Sequence, residues 1–436
     1  MFGNDMEIER PEYLGKLISA KDNGRIKVIT GLRRCGKTYL VKNLFTKWLR
    51  DNGVPDSRIV YLALDRISNA EYRNPILLDE YLRNTISERN GRCYVIIDEI
   101  QFSVPVDNPA LPENVRSVEN RLTFYDTLLG LMDECDLYVT GSNSKMLSKD
   151  ILSGFRDRGH EIRIHPLSFV EFHSAFGGDE RAAWREYLHH GGMPLVLSFD
   201  DRQSKDEYLK NLLSETYMKD IVEHNGVEDT GDLTTLLSVM ASCCACLTNP
   251  TNIANTFPPK TISRNTVDRY IGFFEDSFLL QKSKRFDIRG RKIIKGQQKY
   301  YFEDLGLMNA ILNFREMKIK VLIENTVYNE LVRRGYNVDV GRVDYRKEVD
   351  GINKTITLET DFVVNRSYER TYIQVAEGID DPGKLEQEEE SLLRIRDGFG
   401  KMILVDTDTP PHYTENGIRI MSILDFMRDQ KCLDID

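Results

Sequence analysis

The sequence predicts an α/β protein: a parallel sheet around a phosphate-binding loop in its first third, a helical middle, and a second α/β region at the end. Two stretches carry the first part of that prediction. Ile26 to Thr30 is a β-rich run leading into Gly31-Leu32-Arg33-Arg34-Cys35-Gly36-Lys37-Thr38, and apolar residues at helical spacing, Leu40, Val41, Leu44 and Phe45, follow. This is G-x-x-x-x-G-K-T in the strand, loop and helix setting it requires. Farther on, Cys93-Tyr94-Val95-Ile96-Ile97-Asp98-Glu99 is an apolar run ending in two carboxylates, the Walker B pattern.

The residue types follow from phosphate chemistry. Glycine lets the backbone curl so that successive N–H groups face phosphate oxygens, and the helix dipole adds positive potential there. Candidate nucleotide-binding residues are therefore Gly31, Leu32, Arg33, Arg34, Cys35, Gly36, Lys37, Thr38 and Tyr39. Lys37 is expected to reach the β and γ phosphates and the Thr38 hydroxyl to hold Mg²⁺. Asp98 is expected in the Mg²⁺ shell, with Glu99 orienting and polarising the attacking water. ATP and Mg²⁺ are the expected cofactors.

The other elements of this part read in order. Arg10 to Ser19 is a short helix, Ile59 to Leu64 a buried strand and Ile76 to Arg89 an amphipathic helix. Val104 to Leu122, with Pro105, Pro109 and Pro112, reads as a loop inserted after Walker B. Asp136 to Thr140 is the next strand and ends in Gly141-Ser142-Asn143-Ser144, where Asn143 also suits the start of a helix over Lys145 to Leu152. Arg156 and Arg158 are candidate fingers for a transferring phosphoryl group, acting in cis or on a neighbouring subunit; ordinary surface arginines are the alternative.

Thr140 to Ser144, the Arg156/Arg158 pair and His165-Pro166-Leu167-Ser168-Phe169-Val170-Glu171-Phe172 resemble a prokaryotic AAA+ family of uncharacterised ATPases whose C-terminal half is a domain of unknown function. The likeness continues through His190-Gly191-Gly192-Met193-Pro194, Lys299 to Leu307, Glu324-Asn325 and Ile373-Gln374-Val375, covering nearly the whole chain. It implies ATP hydrolysis, with Asn143 beside the γ-phosphate as sensor. Asp157, where the family has glycine between the arginines, departs from the pattern.

The middle is expected to supply a helical lid, Trp184 to Leu197 and Asp206 to His224, and then a winged helix-turn-helix. Its helices would be Leu233 to Leu247, Thr251 to Thr256 and Ser263 to Ser277; its hairpin strands would be Leu279 to Arg285 and Gln298 to Phe302. On that reading Arg264, Asn265 and Arg269 face the major groove, while Arg289, Arg291 and Lys292 meet phosphates. Packing against the ATPase core or a protein partner is the alternative. The last part, with a helix from Glu324, strands over Tyr336 to Gly341, Ile356 to Val364 and Arg370 to Val375, is similar to the PD-(D/E)XK (restriction-endonuclease-like) nuclease core. Glu324, Asp361 and Gln374 fit its metal-ligand positions, but Ala376 stands in the lysine's place, so the group that activates water is missing and a degenerate nuclease-like domain is expected. Glu324 and Glu359 as surface charges are the alternative. Expected domains are 1–180, 181–310 and 311–436.

Charge and composition bound the partners. With 436 residues, 41% hydrophobic and 29% charged, the chain is long enough for two to four domains, and it holds no apolar run long enough to cross a membrane. The polar, acidic N-terminus predicts a cytoplasmic protein. A net charge of −10 argues against nucleic-acid binding by the whole surface, but the segment Lys282 to Lys299 is basic and Glu377 to Glu390 acidic. Expected partners are ATP and either double-stranded DNA or a protein; a homo-oligomer is compatible and a membrane is not expected. Cys243, Cys244 and Cys246 lack zinc-ligand spacing and read as buried core thiols.

Overall fold

The computed structural model describes residues 7–141, 155, 157–259, 261–315, 318–349, 352–379 and 381–434. Two compact units divide them: the first runs to Pro166 and includes Asp276–Phe278, and the second comprises Leu167–Glu275 and the chain from Leu279 onward.

In the first unit five strands, β1 (Ile26–Gly31), β2 (Ile59–Ala63), β3 (Cys93–Asp98), β4 (Cys135–Thr140) and β5 (Gly159–Ile164), form one sheet in the order β2-β3-β4-β1-β5. Every neighbouring pair is parallel. Every residue of β1, β3 and β4 is buried, as the near-continuous apolar runs require of strands covered on both faces. Phe124, Leu128 and Leu131, from the helix Phe124–Leu131, pack with Val95, Ile97 and Leu137. Lys27, fully buried, pairs with the buried Asp136, whose other oxygen accepts from the Tyr138 hydroxyl at 2.7 Å. The inserted segment closes at its base by an antiparallel bridge between Val106 and Leu122.

The second unit is built on an eight-stranded mixed sheet of β6 (Leu280–Asp287), β7 (Lys292–Phe302), β8 (Asn337–Val349), β9 (Ile352–Arg366), β10 (Glu369–Ala376), β11 (Gly400–Val405), β12 (His412–Tyr413) and β13 (Arg419–Ser422). Their order is β12-β13-β11-β10-β9-β8-β6-β7. The basic hairpin expected as the wing of a winged helix-turn-helix is an edge of this sheet: Arg285–Asp287 pair in parallel with Val340–Arg342, and Ile288 at the turn is buried with Val343 and Val363. An expected boundary at 310 cuts through that sheet. The three helices before it are Thr230–Ser242, Pro250–Ala254 and Arg264–Asp276.

Two motifs of the family resemblance interlock here. Asp304, fully buried, accepts the Gly192 N–H at 2.7 Å with one oxygen and the Leu307 N–H at 3.0 Å with the other. A Cβ on Gly306 would stand 2.0 Å from the His190 carbonyl oxygen, so only glycine allows the approach. Ser168 and Glu171 form a capping box on the helix Phe169–Phe176: the Ser168 N–H donates to Glu171 at 2.9 Å and the Glu171 N–H to Ser168 Oγ at 3.2 Å. Of the three clustered cysteines only Cys244 is buried, donating to Asn325 Oδ1 at 3.1 Å, whereas Cys246 is exposed, which corrects the expectation for it. No helix among the described residues is long and apolar enough to cross a membrane.

Candidate functional site

The loop Gly31–Gly36 leaves β1 with both glycines at positive φ, 134° and 104°. Gly31 has no alternative, since a Cβ there would lie 2.0 Å from the Ile164 carbonyl oxygen on β5. Arg34 also adopts positive φ, 63°. The helix then runs through Lys37–Tyr39, a π-helical stretch Leu40–Phe45, and Thr46–Asp51. Lys37, 5% exposed, donates to the carbonyls of Gly31 and Leu32, both at 2.9 Å, so its ammonium is held over the curl of the loop. Arg10, absent from the sequence-based site, braces the loop from below: it donates to the Cys35 carbonyl at 3.1 Å and the His165 carbonyl at 2.9 Å.

Asp98 ends β3 at the same edge of the sheet. Three hydroxyls converge on it: Thr38 Oγ1 at 3.2 Å, Tyr61 Oη at 2.7 Å, and Thr140 Oγ1. Burial and the adjacent Asp98 carboxylate raise the Tyr61 phenol well above its ordinary value, which keeps it a donor. Glu99 takes positive φ, 57°, and its N–H donates to Thr140 Oγ1 at 3.1 Å, so Thr140 fixes both carboxylate residues. Its own carboxylate accepts from Gln101 Nε2. Sequence reasoning missed Tyr61 and Thr140 because each lies on another strand, although Thr140, a polar residue at the tip of a buried strand, is a readable signal.

The remaining predicted residues fall differently. Asn143 and Arg156 lie outside the described residues. Arg158 precedes β5, where its carbonyl accepts the Ile26 N–H and its side chain reaches Met132 Sδ at 3.5 Å. Ile26 pairs with Gly159 at the start of both strands, whereas Gly31 pairs with Ile164 at their ends. Arg158 therefore stands a strand's length, roughly 16 Å at ~3.3 Å per residue, from its own phosphate loop; of the two expected modes, in cis or on a neighbouring subunit, this distance speaks against the first.

In the second unit Arg264, Asn265, Arg269, Arg289, Arg291 and Lys292 are all exposed, on the helix Arg264–Asp276 and at the turn of the β6–β7 hairpin. Lys299, at the end of the same basic segment, is 2% exposed and points inward. Its ammonium lies 2.8 Å from Glu324, 2.7 Å from Glu359 and 3.7 Å from Asp361. Gln374 joins them, accepting the Asp361 N–H at 3.3 Å. Glu324, Asp361 and Gln374, predicted from three separate segments, thus meet, and Glu324 is buried rather than a surface charge. A lysine does reach the cluster, from β7 and not from the position of Ala376. Burial, opposed by Lys299 and reinforced by Asp361, pushes the Glu324 carboxyl up to about 7.

A phosphate loop on β1, a carboxylate pair closing β3, and β4 between them in a parallel sheet define a P-loop ATPase fold of the AAA class. A family model described as an AAA domain matches residues 23–173, and one described as a domain of unknown function (DUF8612) matches residues 181–318. An uncharacterised protein of Haemophilus influenzae is 30% identical over 430 residues, spanning 96% of this chain and 98% of that one. A second uncharacterised protein, of Methanocaldococcus jannaschii, is 29% identical over 332 residues, 72% of this chain and 67% of its own. Among solved structures, a Walker-type ATPase of Pyrococcus abyssi matches with a TM-score of 0.47 at 12% identity, over 71% of this chain and 97% of that one. The ORC1 protein of Aeropyrum pernix, solved in complex with DNA, matches with a TM-score of 0.32 at 13% identity, over 70% and 93%. The chain belongs to the prokaryotic family of uncharacterised AAA P-loop ATPases that the Haemophilus protein represents.

Proposed function

We propose that this protein binds and hydrolyses ATP and couples turnover to DNA through its second unit. The observation that carries the first part is the meeting of the Thr38 hydroxyl and the Asp98 carboxylate, 3.2 Å apart, beside the curl of the loop that holds Lys37. That pair of hard oxygen donors suits Mg²⁺. Thr38 and Asp98 would hold the ion, which supplies charge neutralisation on the phosphate oxygens. Lys37 swings from the two loop carbonyls to the β and γ phosphates, and Glu99, set by Thr140, orients a water and takes its proton. Asn143 is the proposed γ-phosphate sensor. Arg158, just before β5 and beside the start of β1, serves as a finger only for the site of a second copy, so a homo-oligomer goes with this reading; Arg156 is the alternative finger.

The exposed cations of the helix Arg264–Asp276 and the hairpin turn support DNA as the target over a protein. Steady-state ATP hydrolysis with and without duplex DNA, at low and higher salt, tests both parts. Turnover that Lys37→Ala abolishes and that DNA stimulates at low salt supports the proposal. Turnover indifferent to DNA moves the target to a protein, and absent turnover in wild type leaves a nucleotide-dependent binding switch.

One observation favours a second reading, an ATP-regulated nuclease: Lys299 reaches Glu324 and Asp361 despite Ala376. It predicts nicking of DNA dependent on Mg²⁺ or Mn²⁺ and lost in Asp361→Ala and in Lys299→Met. Wild-type protein that leaves single- and double-stranded DNA intact rules it out.

A further inference from the structure

The helices Glu180–His190 and Arg202–Leu212 of the second unit bring together a group of side chains that neither nucleotide nor DNA chemistry uses. His190, fully buried, is held on both ring nitrogens: Nδ1 lies 2.8 Å from Glu186 Oε1 and Nε2 lies 3.0 Å from Asp206 Oδ1. Glu186 is in turn engaged by Lys205 at 2.6 Å. His189 Nε2 stands 3.9 Å from the same Asp206 oxygen, and one ligand atom from each of His189, His190 and Asp206 lies within 4.8 Å of the other two. Phe314 stacks on the His189 ring, with centroids 5.2 Å apart.

We propose that His189, His190 and Asp206 form a site for a borderline divalent transition-metal ion, Zn²⁺ first, with an open fourth position. A neutral imidazole has one N–H, so His190 cannot donate to both carboxylates. With Nδ1–H given to Glu186, the Nε2 lone pair is aimed at the Asp206 oxygen 3.0 Å away, the placement of two ligand atoms on one ion. A tetrahedral ion with ligand bonds of ~2.0–2.1 Å sets its ligands about 3.3 Å apart, so the 3.0 Å edge opens slightly and the 3.9 Å edge closes by a side-chain rotation. Glu186 on Nδ1 is the carboxylate–histidine arrangement that fixes a ligating ring's tautomer and orientation. Asp206 is partly exposed, which gives the ion a way in and leaves room for water or an outside ligand. Two nitrogens and one carboxylate oxygen select zinc-like ions over Mg²⁺ and Ca²⁺. The ion would pin the two helices next to Gly191 and Gly192, and hence next to Asp304.

Titration of the chelator-stripped full-length protein with Co²⁺, without nucleotide or Mg²⁺, tests this. One equivalent should bind with the visible absorption of four- or five-coordinate Co²⁺ and without the thiolate charge-transfer band that Cys243 and Cys246 would give; Zn²⁺ should displace it. His189→Gln and Asp206→Asn, both at partly exposed positions, should each weaken binding at least about ten-fold, and Glu186→Gln, a positioning change, by about 10–100-fold. Zn²⁺ should raise the melting temperature of wild type but not of Asp206→Asn. The proposal is overturned by the lack of a stoichiometric visible spectrum. Binding that survives both His189→Gln and Asp206→Asn overturns it equally.

Discussion

Thr140 is the side chain through which the two acidic residues of the ATPase site are held in register. Its hydroxyl donates to Asp98 and accepts the Glu99 N–H, which sits in a left-handed conformation that a non-glycine residue adopts only when its surroundings fix it. Thr140→Val keeps shape and removes both bonds. It should lower kcat about ten-fold or more while leaving ATP affinity within a few-fold, because it misplaces Glu99, the carboxylate proposed to orient water, and so acts on the chemical step. Glu99→Gln should cost about 10²–10⁴ in kcat with nucleotide still bound, measured by single-turnover hydrolysis. At the second cluster the telling residue is Glu324. Its folded-state value of about 7 lies above the ordinary 4.5, so across that interval the folded protein keeps a proton that the unfolded chain has lost. The stability this carries is complete below about 4.5 and disappears as pH rises through about 7, at most about 3 kcal/mol for a shift of that size. Glu324→Gln removes the dependence, so its melting temperature should gain on wild type from pH 5 to pH 8. An unchanged difference across that range would contradict the assignment.

Individual elements differ in how far their sequences declare them. The β1-loop-helix unit and β3 were legible because their chemistry is contiguous: glycines, lysine, threonine and paired carboxylates each sit beside the strand that presents them. The capping box of Ser168 and Glu171 is a local feature as well, and Ser168→Ala should cost about 1 kcal/mol of second-unit stability by denaturant titration. What was not legible depends on pairing between distant segments. Nothing local in β6 announces that Arg285–Asp287 will bond to Val340–Arg342, so the hairpin read as the wing of a winged helix. Lys299 belongs to a segment that reads as uniformly basic, and nothing local in it announces that its side chain faces Glu324 and Asp361. Arg10 and Tyr61 reach the ATPase site from the helix Pro11–Ala20 region and from β2, across separations that leave no periodic trace. Lys27 and Asp136 belong here too: a buried pair costs little to replace as a whole and much to break. Asp136→Ala should therefore lose about 3–5 kcal/mol, and the double change Lys27→Met with Asp136→Leu should recover most of it.

For the molecule as a whole, a net charge of −10 makes any contact with DNA a local matter, concentrated where cations are exposed together. Arg289, Arg291 and Lys292 meet that condition at the hairpin turn, and the pairing of β6 with β8 anchors that turn to the eight-stranded sheet. An anchored turn presents its charges with little loss of conformational freedom on binding. Contacts of this kind go to phosphates and carry no sequence information, so their signature is the dependence of affinity on salt. Changing all three to glutamate should weaken duplex binding uniformly across unrelated sequences and reduce the slope of log affinity against log salt by about 3. The same variant should keep its basal ATP hydrolysis, since none of the three residues lies in the unit that holds Lys37 and Asp98, and should lose only the stimulation by DNA. Arg264→Ala and Arg269→Ala act on the helix instead, and if that helix reads bases they should change the ranking of DNA sequences as well as the affinity. A triple variant with an unchanged salt slope would remove the hairpin from the DNA interface and make the partner a protein.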